Sequence, residues 1–270
     1  MSEHPRTVPT ADDLGRTWAA LREQSPLVQC LTNVVATQRT ADVLLAAGAS
    51  PAMVASPREA DEFARVAGAV LINLGTPYEE STEGKRAAVA AAREVGTPWV
   101  LDPVAAGGLT WRTEIARELL AQRPAVVRGN ASEILGLAGG RGGRGADSAH
   151  SPDEALETAR QLSHEYATVV ALSGPIDHLV HGDRLVRLAH GHDFLTRVTA
   201  IGCSLGALIA ACCAVTEDPL TAAATGTAAL TLAAEDAART ARGPGSFAAV
   251  LLDELALLEP GAIATRAEVG

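Results

Sequence analysis

The chain has 270 residues, 47% of them hydrophobic but only 3% aromatic, and a formal net charge of -10 at pH 7. That composition is globular rather than disordered, and the charge opposes non-specific binding to nucleic acid or to an anionic membrane surface. The opening stretch MSEHPRTVPT lacks the apolar centre of a signal peptide, and the apolar runs elsewhere are too short or too alanine-rich to span a bilayer, so a cytoplasmic protein is expected.

Taken in chain order, short apolar runs at 27–31, 51–54, 69–73, 99–101, 125–127 and 168–172 predict strands. Longer stretches at 36–47, 79–95, 112–122 and 152–165 predict helices between them, with stops such as Gly48 and Gly96. This alternation predicts α/β architecture: a mostly parallel sheet covered by helices on both faces, with no linker dividing residues 1–270 into two domains. Runs at 177–181 and 184–189 flank Gly182-Asp183 and predict an antiparallel hairpin. Helices follow at 203–215, 219–239 and 246–258, and the termini, about 1–10 and 261–270, are expected to fray. The stretch from Gly139 to Gly145 reads either as a flexible loop or as a short arginine-glycine patch for RNA, and lacks the Gly-Lys-Ser/Thr ending of a phosphate loop.

Ligands of an open α/β sheet gather at the carboxyl ends of its strands. Asn33, Asn73 to Thr76, Asp102 and Arg128 to Asn130 stand there. Asp102 reads as a ligand for magnesium or as a turn residue before Pro103. Asn130 and Glu133 have the spacing of a helix capping box, in which Glu133 reaches back to the backbone; the same glutamate could also hold a metal-bound water. The turn Ala200-Ile201-Gly202-Cys203 precedes an apolar helix whose first amides would attract a phosphate, and a thiol at that end is expected to have a lowered pKa and to act as a base or as a hydrogen-bond partner for a substrate hydroxyl. Cys30, Cys203, Cys212 and Cys213 form no CxxC pair, against a disulfide scaffold or structural zinc; Cys212 and Cys213 fit a buried helix. His190-Gly191-His192 reads as a metal pair or as exposed hairpin histidines, and no carboxylate of suitable spacing is evident nearby.

Several segments in fixed order, Pro26 to Asn33, Gly48 to Met53, Asn73 to Thr76, Leu101 to Val104, Arg128 to Glu133 and Gly243 to Phe247, resemble the hydroxyethylthiazole kinase family of the ribokinase-like superfamily. The resemblance implies a three-layer αβα sandwich that phosphorylates the primary hydroxyl of 4-methyl-5-(2-hydroxyethyl)thiazole with ATP and Mg2+, as a homotrimer with sites between subunits. It implies Met53, Ala200 and Gly202 as thiazole contacts, Asn33, Arg128 and Ser173 on the nucleotide, Asp102 and Glu133 around the metal, and Cys203 as the catalytic residue. Where the family usually reads Gly-Thr-Gly-Cys this chain has Ala200-Ile201-Gly202-Cys203, and Gln29 stands where many relatives carry histidine. The same scaffold would also serve a kinase for a hydroxymethylpyrimidine or pyridoxal-type alcohol, or a non-catalytic thiazole- or nucleotide-binding protein.

Overall fold

In the computed structural model, which describes residues 7–139 and 152–270, eight strands form one sheet. They are β1 Leu27–Leu31, β2 Ser50–Ala52, β3 Ala69–Asn73, β4 Trp99–Asp102, β5 Val126–Asn130, β6 Val169–Ser173, β7 Asp177–His181 and β8 Arg184–Leu188. The order is β2-β1-β3-β4-β5-β6-β7-β8, parallel from β2 to β6 and antiparallel through the final hairpin. The arginine-glycine stretch beyond Gly139 lies outside the described residues.

Side-chain alternation divides the central strands between two cores. Val28, Cys30, Leu71, Val100, Val126 and Val169 join one, whereas Leu31, Ile72, Leu101, Val127 and Val170 join the other. The first core is covered by helices α1 Ala11–Gln24, α2 Thr37–Ala47, α8 Ile201–Cys213, α9 Pro219–Thr240, α10 Pro244–Leu257 and α11 Pro260–Arg266. The second lies under α3 Ala60–Ala64, α4 Glu79–Val95, α5 Thr110–Leu120, α6 Ala131–Leu137 and α7 Pro152–Tyr166. Burial on both faces explains why these strands read as continuous apolar runs rather than as an alternating pattern.

The expected fraying of residues 261–270 is corrected by the structure. α11 packs against α1, the Trp18 indole N–H donates to the Leu258 carbonyl at 2.8 Å, and Gly270 exchanges both backbone hydrogen bonds with Arg187 of β8, at 2.8 and 3.2 Å. At the other end Thr10 and Asp13 close a capping box that starts α1, an element the sequence reading omitted. Residues 260–266 have too little apolar periodicity to announce a helix, and the helices that α11 packs against, α1 and α9, lie far from it in sequence.

The histidine pair divides: His192 is exposed, whereas His190 is not. His190 is largely buried; its Nδ1 contacts Glu235 Oε1 at 3.0 Å and its Nε2 accepts the Glu268 amide at 3.0 Å, so it clasps the C-terminal segment to α9. His192 Nδ1 accepts the Phe194 amide at 3.2 Å and starts a single 3-10 turn, Asp193–Arg197, that leads to α8. Glu235, 45 residues downstream of His190, was too remote to be paired with it by spacing.

Candidate active site

Strand parity decides which polar groups share a compartment. Asn73, Asp102, Arg128 and Ser173 fall two or four residues after Leu71, Val100, Val126 and Val169, so all four project to the face on which α8 lies, at the carboxyl edge of the sheet. β5 runs to Asn130 rather than stopping at Val127. Its charged and polar end is tolerated because Arg128 Nη2 donates to Ser173 Oγ of the paired strand at 3.0 Å.

Hydrogen bonds join the left half of this edge into one chain. Asn73, fully buried and directly opposite Asp102, donates from Nδ2 to Asp102 Oδ2 at 2.7 Å. Its Oδ1 accepts Asn33 Nδ2 at 2.8 Å and the Gly75 amide at 2.9 Å. Asn33 Nδ2 also donates to Cys203 Sγ at 3.4 Å, while Asn33 Oδ1 accepts the amides of Val35 and Ala36 at 3.0 and 3.1 Å. Asp102 Oδ1 is buried and makes no hydrogen bond.

Electrostatics follow from that burial. Desolvation raises Asp102 to about 7, with the Arg128 charge opposing, the Glu133 charge adding and the Asn73 hydrogen bond opposing. Cys203 is raised as well, first by desolvation and then by the Asp102 charge, despite the hydrogen bonds of Asn73 and Asn33 and the Arg128 charge. The lowering expected at a helix terminus is therefore reversed: burial first, and then the Asp102 charge, outweigh the two asparagine hydrogen bonds and the Arg128 charge. Burial pushes Cys30 to about 12 and raises Cys212, as befits small core side chains.

α8 begins at the other half of the edge. Its first backbone hydrogen bond runs from the Ser204 amide to the Ala200 carbonyl at 2.9 Å, so the amides of Ile201, Gly202 and Cys203 precede the helical ladder. Ala200, at the cap, has φ 68 and ψ 0, a left-handed conformation that favours glycine. Gly202 lies against the Arg128 guanidinium so closely that a Cβ there would stand 2.8 Å from Nη1. Amides, guanidinium and the Ser173 hydroxyl thus converge, an arrangement suited to an anionic phosphate.

Glu133 closes the capping box as expected, accepting the Asn130 amide on Oε2 at 3.0 Å, and its Oε1 accepts the Ala105 amide at 3.0 Å. Each oxygen keeps a second lone pair. Met53 follows the edge strand β2, half-buried against the first core and two strands from Asn73. Gln29 lies elsewhere: in β1 it points to the opposite face and donates to the carbonyls of Val54 and Ala60 at 3.0 and 2.9 Å, so it anchors the loop after Met53 without entering this compartment.

Two groups were overlooked in the sequence. Asn73 was noted as a strand-end residue without a role, and Asp177, which accepts the Gly174 amide at 3.1 Å and is raised to about 6 by desolvation against that hydrogen bond and the Arg128 charge, was not singled out. Asp177 opens a hairpin strand, where a carboxylate ordinarily faces water.

Comparisons with known proteins place the whole chain. A family model described as the hydroxyethylthiazole kinase family matches residues 18–260. Hydroxyethylthiazole kinase of Clavibacter sepedonicus is 53% identical over 260 residues, covering 96% of this chain and 94% of that one, and the Kineococcus radiotolerans protein of that name gives the same figures. A solved hydroxyethylthiazole kinase protein from Pyrococcus horikoshii OT3 superposes with TM-score 0.88 at 37% identity, covering 95% of this chain and 98% of that one. Staphylococcus aureus pyridoxal kinase, at TM-score 0.55 and 18% identity over 78% of this chain and 88% of its own, shares the fold. With its ribokinase-like architecture and this match over most of its length, the chain belongs to the hydroxyethylthiazole kinase family.

Proposed function

We infer that this protein transfers the γ-phosphate of ATP to the primary hydroxyl of 4-methyl-5-(2-hydroxyethyl)thiazole, in thiamine biosynthesis or salvage. The observation that carries the reading is the convergence, on one face of the sheet, of Asp102, Arg128, Ser173 and the first amides of α8 beside Cys203.

In this reading Arg128, Ser173 and the amides of Ile201, Gly202 and Cys203 hold the phosphates, with Asn33 beside them. Phosphoryl transfer needs alignment and charge neutralisation more than covalent help, so fixed donors around the anion are the main contribution of the chain. Mg2+ fits the remaining donors: Asp102 Oδ1 is a buried oxygen without a partner, and Glu133 has a free lone pair on each oxygen for a metal-bound water. Asp102 would hold the ion directly, with Glu133 in its outer shell. When bound, the ion supplies positive charge to the phosphate oxygens.

Cys203 is the candidate base for the acceptor hydroxyl. Its raised pKa leaves it protonated at neutral pH in the free chain; a cation at Asp102 removes one of the two causes of that rise. Met53, Ala200 and Gly202 would border the thiazole. A cytoplasmic homotrimer belongs to the same reading; Val34 and Val35, 73% and 58% exposed, immediately follow Asn33 and offer an apolar surface for another copy of the chain beside the site. No helix among the described residues is long and apolar enough to cross a membrane.

The test is to incubate the purified protein with hydroxyethylthiazole, ATP and Mg2+ and to look for the phosphate ester by mass, with hydroxymethylpyrimidine and pyridoxal in parallel. Ester formed from either comparator and not from the thiazole would overturn the substrate assignment. ATP and thiazole binding with no ADP formed would overturn the activity.

A further inference from the structure

The orientation of every amide in the edge network follows from one fixed point. The backbone N–H of Gly75 can only donate, so Asn73 must turn Oδ1 towards it and Nδ2 towards Asp102 Oδ2, as the 2.9 and 2.7 Å contacts record. That choice also points Asn73 Oδ1 at Asn33 Nδ2. Asn33 must then present its amide nitrogen inward, which leaves Oδ1 for the Val35 and Ala36 amides and directs the nitrogen at Cys203 Sγ as well. Gly75 accommodates the close approach, since a Cβ there would lie 2.5 Å from Asn33 Nδ2.

Asn73 itself is fully buried and separated from solvent, so it is not placed to touch a substrate. Its effect runs through its neighbours. It holds one Asp102 oxygen, which fixes the carboxylate plane and leaves the other oxygen as the unpartnered one. It also fixes the donor that faces the thiol. A carboxylate on β4, an amide after β1 and a thiol on α8 come from segments far apart in sequence, and Asn73 is the shared link between the first two.

We propose that Asn73 is a positioning residue for phosphoryl transfer, setting the orientation of Asp102 and, both directly and through Asn33, of Cys203. The inference rests on the kinase reading above, and it separates two roles: a residue that merely satisfies buried groups affects stability, whereas a residue that orients reacting groups affects turnover.

The experiment uses Asn73→Leu, which keeps the volume and removes every hydrogen bond, and Asn73→Ser, a smaller polar replacement that cannot span to Asp102. For each, kcat, the KM values for ATP and hydroxyethylthiazole, and the thermal midpoint are measured; Asn33→Ala is made alone and in combination with each. A misplacement near an ångström is worth about 10²-fold in rate. The expected result is therefore a fall in kcat of about that size with both KM values within about threefold of wild type, and a combined variant no worse than about threefold below the poorer single, because both changes act on the same link. The inference is overturned by kcat within about threefold of wild type in either folded variant, by losses confined to KM, by losses that multiply in the combination, or by both variants failing to fold. A wild-type chain that makes no thiazole phosphate overturns the kinase reading and this inference with it; an active wild type with active Asn73 variants overturns the inference alone.

Discussion

Gly202→Ala tests how the phosphate end of the site is held. A methyl at this position would stand 2.8 Å from Arg128 Nη1, 3.2 Å from Nη2 and 3.3 Å from Cζ, where ordinary contact begins near 3.4 Å. The neighbour is the end of a long side chain, so the guanidinium, not the backbone, should give way by roughly half an ångström, enough to disturb its 3.0 Å bond to Ser173. The helix itself gains, because alanine is a better helix former than glycine by about 1 kcal/mol in a helix interior and by less near its start. We therefore expect a thermal midpoint equal to or slightly above wild type, together with a fall of about 10- to 100-fold in kcat/KM for ATP, scaled from the rate loss that misplaced groups produce. Steady-state kinetics at saturating thiazole and a calorimetric melt of the same preparation read both quantities. Wild-type kcat/KM in the folded variant would refute the idea that Gly202 is needed to admit Arg128, and a large loss of stability would show that the backbone, not the guanidinium, takes up the clash.

Three further outcomes follow from the geometry. Cys203→Ala should lower kcat about 10²-fold or more if the thiol takes the hydroxyl proton; an unchanged rate would reject that role. Ala200→Gly relieves a left-handed alanine that costs about 1–2 kcal/mol, while glycine's greater freedom in the unfolded chain returns about 0.5–1 kcal/mol, so the melt should rise by only a few degrees while thiazole turnover increases; lower turnover would count against crowding by the methyl. Asp177 has a folded pKa of about 6 against an ordinary 3.8, so between about pH 4 and 6 the folded chain holds a proton that the unfolded chain has released, and stability falls as pH rises through that window. Asp177→Asn mimics the protonated form and keeps an acceptor for the Gly174 amide; its stability advantage over wild type should grow from near zero at pH 4 to on the order of 3 kcal/mol above pH 6, and a pH-independent difference would contradict the burial argument.

The sheet was legible because parallel strands buried on both faces leave unbroken apolar runs, and Leu27–Leu31, Ala69–Asn73 and the hairpin around Gly182 were read within a residue of their observed ends. Strand ends that carry polar residues were read short, as at β5, because the pattern that marks a strand stops where the site begins. Asn33, Asp102, Arg128, Ser173, Gly202 and Cys203 do meet at one edge, and their types and order carried enough information to suggest it. The sign of the Cys203 shift was not legible. It depends on the distance from a helix terminus to a carboxylate on another strand and on how much water remains between them, and neither quantity is local in sequence. The same holds for His190, whose partners lie on α9 and in the last residues of the chain.

The packing of α1 against α11 sets a limit on how this protein can be born. Trp18 finds its carbonyl partner 240 residues downstream, and the helix α11 that covers α1 follows every strand of the sheet in the chain. During synthesis the parallel strands emerge in sequence and can pair as they appear, but α1 waits with its apolar face, including Leu14, Trp18 and Leu21, unpartnered by α11 until residues 258–266 have left the ribosome. α1 is therefore locked only after the sheet has formed, and until then its apolar face is open to association with other copies of the chain.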